Sequence, residues 1–327
     1  MTSLALAHGT WDDARALIGP PLLEMRGADQ VDRSAIRRLL EVHEWDYPVA
    51  YDTAAAEDAG LPDIVAPATS YLTFALPAYW SPGDPPLESY VIPPLPYRSV
   101  PGEGSMMIAT AVQIEFAAPL HPGDRVTSTW WLRSVVPKTT RVGAGAFLTF
   151  EALFANQRGD EIARERTTVL RYGPDRSATP SPARSLHCAS GGLPVTPTTV
   201  GLSLQRLVMA AGANRDLAPV HHDPEVAADA GLGQPFANSM FMATQFERTA
   251  CAWAGPAWSI ERMSLQLLAP AAAGSTLVVS GTADTNPQSD GGRTTLWLEA
   301  HTGTGIVSVA EISGSVRRTP PRARSRS

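Results

Sequence analysis

The stretch PVAYDTAAAEDAGL (residues 48–61) returns as PVHHDPEVAADAGL (residues 219–232), without a gap and with eight of fourteen positions identical. An internal repeat constrains the fold more than any single element does, because both copies must build the same local structure. The offset here is 171 residues, yet VQIEFAAPLHPGDRV (residues 112–126) aligns with MSLQLLAPAAAGSTL (residues 263–277) at an offset of 151. The first half therefore carries twenty extra residues, and the prolines and glycines of SPGDPPLESYVIPPLPYRSVPGEG (residues 81–104) read as the loop that holds them. A chain of 327 residues also has the length of two domains of about 150 residues each. The expected division is a first domain over 10–173, a linker over 174–195, a second domain over 196–318 and a disordered basic tail over 319–327.

Each half has the same coarse pattern. Asp223 before Pro224 reads as a helix start, since an aspartate side chain caps free amides and proline is tolerated at the first helical position. The helix is predicted to run to Ala230 and to close at Gly231. Next, FANSMFMATQFERTACAWAG (residues 236–255) is apolar on nearly every face, which predicts a helix enclosed by other structure. Its counterpart PATSYLTFALPAYW (residues 67–80) is interrupted by Pro77. Val112, Ile114 and Phe116 alternate with polar neighbours, as do Met263, Leu265 and Leu267, so the remainder reads as strands. Turns are expected at NQRGD (156–160) and SDGG (289–292) between long strand pairs. The economical architecture is one buried helix wrapped by a long antiparallel sheet, twice.

Composition excludes several functions. A net charge of −6 without a dense Lys/Arg stripe argues against a nucleic-acid surface. No run approaches the roughly 18 apolar residues of a membrane span, and the N-terminus lacks a basic start with a long apolar stretch. Cys188 and Cys251 form neither a C-x-x-C pair nor a disulfide framework. A cytoplasmic protein without membrane or nucleic-acid partners is expected.

The chemistry concentrates in DLAPVHHDP, residues 216–224. Asp216 and His221 are five residues apart, and Pro219 between them fixes one backbone torsion and favours an extended turn that aims both side chains at one point. Imidazole titrates near working pH, so an Asp/His pair is suited to proton transfer; a histidine beside a helix start can equally just satisfy a backbone carbonyl. His222 is a candidate auxiliary residue, or simply begins the helix and faces water. No third ligand stands nearby, so no metal is expected.

The pattern D-x-x-P-V-H-x-D-P, followed by a small-residue helix, Ala-Gly and a second helix, resembles the motif of the MaoC-like, or (R)-specific enoyl-CoA hydratase, family. The first half, from WDDARALIG through AYDTAAAEDAGLPDIVAP, is similar to the degenerate N-terminal dehydratase domain of its two-domain members. The resemblance covers residues 10–318 and implies an α+β double hotdog, with the halves packed as a pseudo-dimer sharing one sheet. It also implies Asp216 and His221 as the catalytic pair, holding a water and moving its protons, with no bound cofactor. An oxyanion donor is implied near Asn238, Ser239 and Met240, at the start of the central helix. In the first half Trp45 and Ala50 replace Asp216 and His221, so that half is expected to shape the acyl pocket, with Tyr71, Phe74 and Leu76 as lining residues or as ordinary core. The insertion at 81–104 either covers the pocket mouth or is a plain surface excursion.

Two departures from the family pattern stand out. The usual Gly-Asp-x-Asn-Pro reads Arg215, Asp216, Leu217, Ala218, Pro219 here, and the His-Gly pair that opens the central helix in many relatives is Asn238-Ser239. The implied activity is a hydro-lyase acting on an acyl thioester of coenzyme A or an acyl carrier protein, in fatty acid or polyketide metabolism. Isomerisation or ring closure in polyketide tailoring, and a non-catalytic acyl-binding or partner subunit, are the alternatives. Thioesterases of this fold generally place a carboxylate on the central helix, where the first acidic residue here is Glu247. A homodimer is compatible with the fold, although a pseudo-dimer already closes its main interface within one chain.

Overall fold

The computed structural model describes residues 6–87, 91–140, 143–173, 192–287 and 292–317. The first half contains α1 (Trp11–Arg15), β1 (Pro21–Arg26), α2 (Arg33–His43), α3 (Thr53–Asp58), α4 (Tyr71–Ala75), β2 (Met106–Phe116), β3 (Thr127–Thr140), β4 (Gly143–Ala155) and β5 (Glu161–Tyr172). The second contains β6 (Leu193–Gly201), α5 (Leu204–Asn214), α6 (Pro224–Asp229), α7 (Ser239–Ala254), β7 (Trp258–Leu267), β8 (Thr276–Ala283), β9 (Arg293–Thr302) and β10 (Gly305–Val316). All ten strands form one antiparallel sheet in the order β1-β3-β4-β5-β2-β7-β10-β9-β8-β6, which is the same order read outward from the centre in each half. This is the double hotdog.

The halves join where β2 pairs with β7. Ile114 lies opposite Met263, Val112 opposite Leu265, and Gln113 opposite Ser264 at the centre. Gln113 and Ser264 are equivalent positions of the repeat, so the local two-fold axis passes between them. Alternation fixes this register, because a slip by one residue would turn the buried Val112, Ile114, Met263 and Leu265 to the outer face.

Local signals in the sequence explain the helices. Asp223 caps α6 by accepting from the amides of Glu225 and Val226, with Pro224 at the first helical position and Gly231 at φ +76° after its end. The central helix α7 starts at Ser239, three residues later than the apolar run begins, because Asn238 caps it by accepting from the Phe241 amide at 2.8 Å. Its counterpart α4 is only five residues long. Leu76, the residue before Pro77, is extended (φ −72°, ψ 131°), as a following proline demands. In α2, Ile36, Leu39, Leu40 and His43 form one buried stripe that packs toward α5. The turn at 156–160 joins β4 to β5 as expected.

Two boundaries differ from the sequence reading. Strand β6 begins at Leu193, inside the span read as linker, because its edge pairs with β8 from Leu193 opposite Ala283 onward. The first domain starts before residue 10: Ala7 donates its amide to Arg98 O, and its carbonyl accepts from Arg171 Nη2 at 2.8 Å. The rest of the expected linker apart from residues 192–195, the expected tail, Cys188 and most of the turn at 289–292 lie outside the described residues. Among the described residues, no helix is long and apolar enough to cross a membrane.

Polar ties hold the halves together beneath the sheet. The Glu247 carboxylate of α7 accepts from the amides of Ala68 and Thr69 at 2.7 and 2.9 Å, and from the Thr69 hydroxyl at 2.7 Å. Gln245, also on α7, meets His43 Nδ1 at 2.7 Å. Burial pushes the Glu247 carboxyl above the usual range, against the lowering by its hydrogen bonds. Glu247→Leu would strand two helix-start amides, so a loss of roughly 2–5 kcal/mol is expected in urea unfolding. An unchanged unfolding midpoint would show that this tie contributes nothing.

His43 is fully buried, and its pKa is lowered from 6.5 to about 3, by burial first and then by the charges of Arg248 and Arg206. The unfolded chain takes up this proton below about pH 6.5 while the folded chain refuses it until about pH 3. Stability contributed by neutral His43 is therefore complete above that window and falls as pH drops through it, by up to about 1.4 kcal/mol per pH unit. Urea unfolding at pH 7, 6 and 5 should show this slope in the wild type and a shallower one in His43→Leu.

Candidate active site

Asp216 and His221 leave the chain on either side of a short turn. Helix α5 ends at Asn214 and Arg215 takes a left-handed conformation (φ 58°), the region that glycine favours. A non-glycine residue there costs about 1–2 kcal/mol. The Arg215 guanidinium offsets this by donating to the carbonyls of Leu76 and Pro77 at 2.8 and 2.6 Å, across the junction with the first half. Tyr79 closes the same corner: its hydroxyl donates to Arg215 O, and its ring faces the guanidinium at 5.4 Å. The following 3-10 turn, Pro219–His221, delivers the histidine.

The two functional side chains converge. His221 Nε2 lies 3.7 Å from Asp216 Oδ2, with both side chains mostly buried at 14% and 16% exposure. His221 Nδ1 is 2.9 Å from Phe236 O, and the Phe236 ring stands edge-on to the imidazole at 4.7 Å. A carbonyl can only accept, so neutral His221 carries its proton on Nδ1 and presents the Nε2 lone pair to Asp216. The separation of 3.7 Å is too long for a direct hydrogen bond and suits a shared third group. His222 is not part of this pair; its Nε2 lies 3.2 Å from Leu217 O, bracing the turn.

Asp216 and His221 border a cavity of about 310 Å³ that also meets Ala218, Ser239 and Met242. The opposite wall belongs to the first half: Pro93, Leu95, Tyr97 and Arg98 of the inserted loop line the cavity. Arg98 is the residue that sequence reasoning missed here. Burial pulls its pKa down while the charge of Asp216 raises it, which places a cation in electrostatic reach of the pair. Its only sequence signal was a lone arginine in a proline-rich insertion.

A second, inner cavity of about 70 Å³ shares Asp216, Ser239, Leu95 and Tyr97 with the first and continues into the first half. Tyr71, Leu76 and Met240 line it. Phe74 does not border either cavity; it is 7% exposed within the core. At the start of α7, Asn238 is spent on capping, leaving the first-turn amides of Ser239 and Met240 without intrahelical acceptors. The helix N-terminus there favours negative charge.

The pseudo-equivalent place in the first half differs at the Asp/His positions and at the helix-start amides. Trp45 and Ala50 stand at the Asp216 and His221 positions, with Trp45 stacked on Tyr47 at 4.3 Å. A cavity of about 240 Å³ survives there, but the Glu247 carboxylate already sits on the Ala68 and Thr69 amides. Glu247 is thus committed to those amides and does not line the cavities beside Asp216. Among the described residues no three His, Cys, Asp or Glu side chains cluster as metal ligands.

Comparisons with known proteins bear on the fold. A family model described as the FAS1-like dehydratase domain region matches residues 16–165. A protein from Thermomonospora curvata named "Probable enoyl-CoA hydratase alpha subunit" is 30% identical over 165 residues, which is 50% of this chain and 52% of that one. The chain thus spans about half the length of this curated relative. Among solved structures, a MaoC-like dehydratase superposes with a TM-score of 0.71 at 21% identity, covering 93% of this chain and 99% of its own. A conserved Mycobacterium tuberculosis protein with a double hotdog fold follows at a TM-score of 0.61 and 13% identity, over 94% of this chain and 98% of its own. Repeat, fold and matches together give this chain the double hotdog fold it shares with a MaoC-like dehydratase, with a first half similar to the FAS1-like dehydratase domain region.

Proposed function

We propose that the protein is a hydro-lyase that adds water to a 2-enoyl thioester, or removes it from the 3-hydroxyacyl thioester. The observation that carries this reading is the convergence of Asp216 and His221 at 3.7 Å on the wall of a cavity that also meets the start of α7. A water at ordinary hydrogen-bond distance, about 2.8 Å, from both Nε2 and Oδ2 would fill the gap between them.

In the hydration direction the water oxygen bonds to C3 as His221 Nε2 takes its proton, and the Asp/His pair returns a proton to C2 on the same face. The π electrons shift toward the thioester oxygen, which carries the developing negative charge until C2 is protonated. The amides of Ser239 and Met240 are the donors for that charge, aided by the positive end of the α7 dipole. Phe236 O holds the imidazole in the tautomer this step needs. The substrate is an acyl thioester of coenzyme A or of a carrier protein, and the chain requires no bound cofactor for this chemistry.

Asp216→Asn and His221→Ala should each lower kcat by about 10²–10⁴-fold, the usual worth of general acid–base catalysis, with unfolding midpoints near the wild type. Absorbance of the enoyl-thioester band reads this directly. Absence of wild-type turnover on every coenzyme A and carrier-bound enoyl substrate, or full activity in both variants, would overturn the proposal.

A further inference from the structure

The inner cavity ends on a polar cluster that the fold does not require. Glu165 on β5 is 4% exposed and lines the cavity together with Thr167. The Tyr71 hydroxyl donates to one carboxyl oxygen at 2.7 Å, and the Thr167 hydroxyl donates to the other. Tyr97 of the inserted loop stands against the same two residues. Tyr97 also hydrogen-bonds Glu165, and since a carboxylate offers about four lone-pair sites, three donors leave one for a group in the cavity. Among the described residues no ion pair involves Glu165.

The second half is an internal control. Glu165 lies opposite Ile114 in the sheet, and the equivalent pair is Ala310 opposite Leu265. Thr167 lies opposite Val112, and the equivalent pair is Ile312 opposite Met263. Ala310 and Ile312 are fully buried and apolar. The same strand position in the same fold therefore packs well without polar atoms, and a buried carboxyl there is costly unless something hydrogen-bonds it. The volume of about 70 Å³ is room for only a few small groups, since each water-sized group needs roughly 10–15 Å³. A plain alkyl tail would leave the Glu165 capacity unmet, and an ammonium would have to shed its hydration in a closed space. A hydroxyl is small, neutral, and both donor and acceptor, which matches Glu165 and Tyr71 together.

Resting on the acyl-thioester reading of the site, we propose that the enzyme selects short acyl chains bearing a hydroxyl near the distal end, read by Glu165 and Tyr71. The test compares 2-enoyl-CoA substrates of equal chain length with and without a terminal hydroxyl. Sites built to bond a hydroxyl discriminate against its absence by up to about 10⁴–10⁵-fold, and a partly satisfied carboxyl should give at least about tenfold in kcat/KM. In Glu165→Leu with Tyr71→Phe, which removes both groups that read the hydroxyl, the preference should reverse toward the plain chain. Tyr71→Phe alone should narrow it, giving a readout should the double variant fail to fold.

Equal or better turnover of the plain chain by the wild type overturns the proposal. Should neither enoyl substrate turn over, calorimetry with the saturated thioesters separates the two readings. Tighter binding of the hydroxylated thioester by the wild type, lost in the variant, keeps the selective pocket while the hydration chemistry falls. Equal binding, or none, removes the selectivity as well.

Discussion

Pairing of β2 with β7 is the contact on which the remaining architecture depends. It turns two five-stranded sheets into one and sets Gln113 opposite Ser264, its own equivalent in the repeat. That register places both central helices under a continuous sheet and brings the inserted loop of one half over the motif turn of the other. A site assembled this way depends on contacts between residues far apart in sequence. Arg215 reaching Leu76 and Pro77, and Glu247 reaching Ala68 and Thr69, are the local devices that hold the junction.

Duplication supplied two potential sites, and the structure shows how they diverged without loss of the fold. Both halves keep a capped short helix, a tight turn and a helix start whose amides have no acceptor within the helix. In the second half the turn carries Asp216 and His221, and the amides at Ser239 and Met240 face an open cavity. In the first, Trp45 and Ala50 replace the proton carriers, and a carboxylate from α7 occupies the amides. Such amides need an acceptor when buried. Once a half no longer offers them to a ligand, a side chain from its neighbour is a physically adequate substitute, and the interface gains a charge-assisted hydrogen bond. The half without the Asp/His pair is the half whose amides hold the junction.

Features encoded over a few residues were legible in the sequence: the Asp223 and Pro224 helix start, the alternation of Val112 and Ile114, the interruption at Pro77, the turn at 156–160. The repeat made the fold legible too, because a half that reads weakly alone can be aligned with its copy. The Asp216 and His221 pair was visible because only four residues separate them, and the turn between is governed by one proline. Phe74 was misplaced for a reason that lies in geometry. Over a helix as short as α4, periodicity does not determine which of Tyr71 and Phe74 borders the cavity. Arg98 and Tyr97 were invisible as site residues because a proline-rich insertion has no period to orient its side chains.

Glu165 and Glu247 show why a buried carboxylate carries little meaning until its partners are known. Both are almost wholly enclosed, and burial raises the pKa of both. Glu247 is met by two backbone amides and a hydroxyl, groups fixed by the fold whatever ligand is present. Glu165 is met by side-chain hydroxyls at the rim of a cavity, on a strand whose copy in the other half is apolar at the same position. The first arrangement is complete without a ligand and so explains itself as structure. The second keeps acceptor capacity beside open space, at a cost the other half of the same molecule avoids, and that asymmetry is the physical ground for assigning it to a substrate rather than to the core.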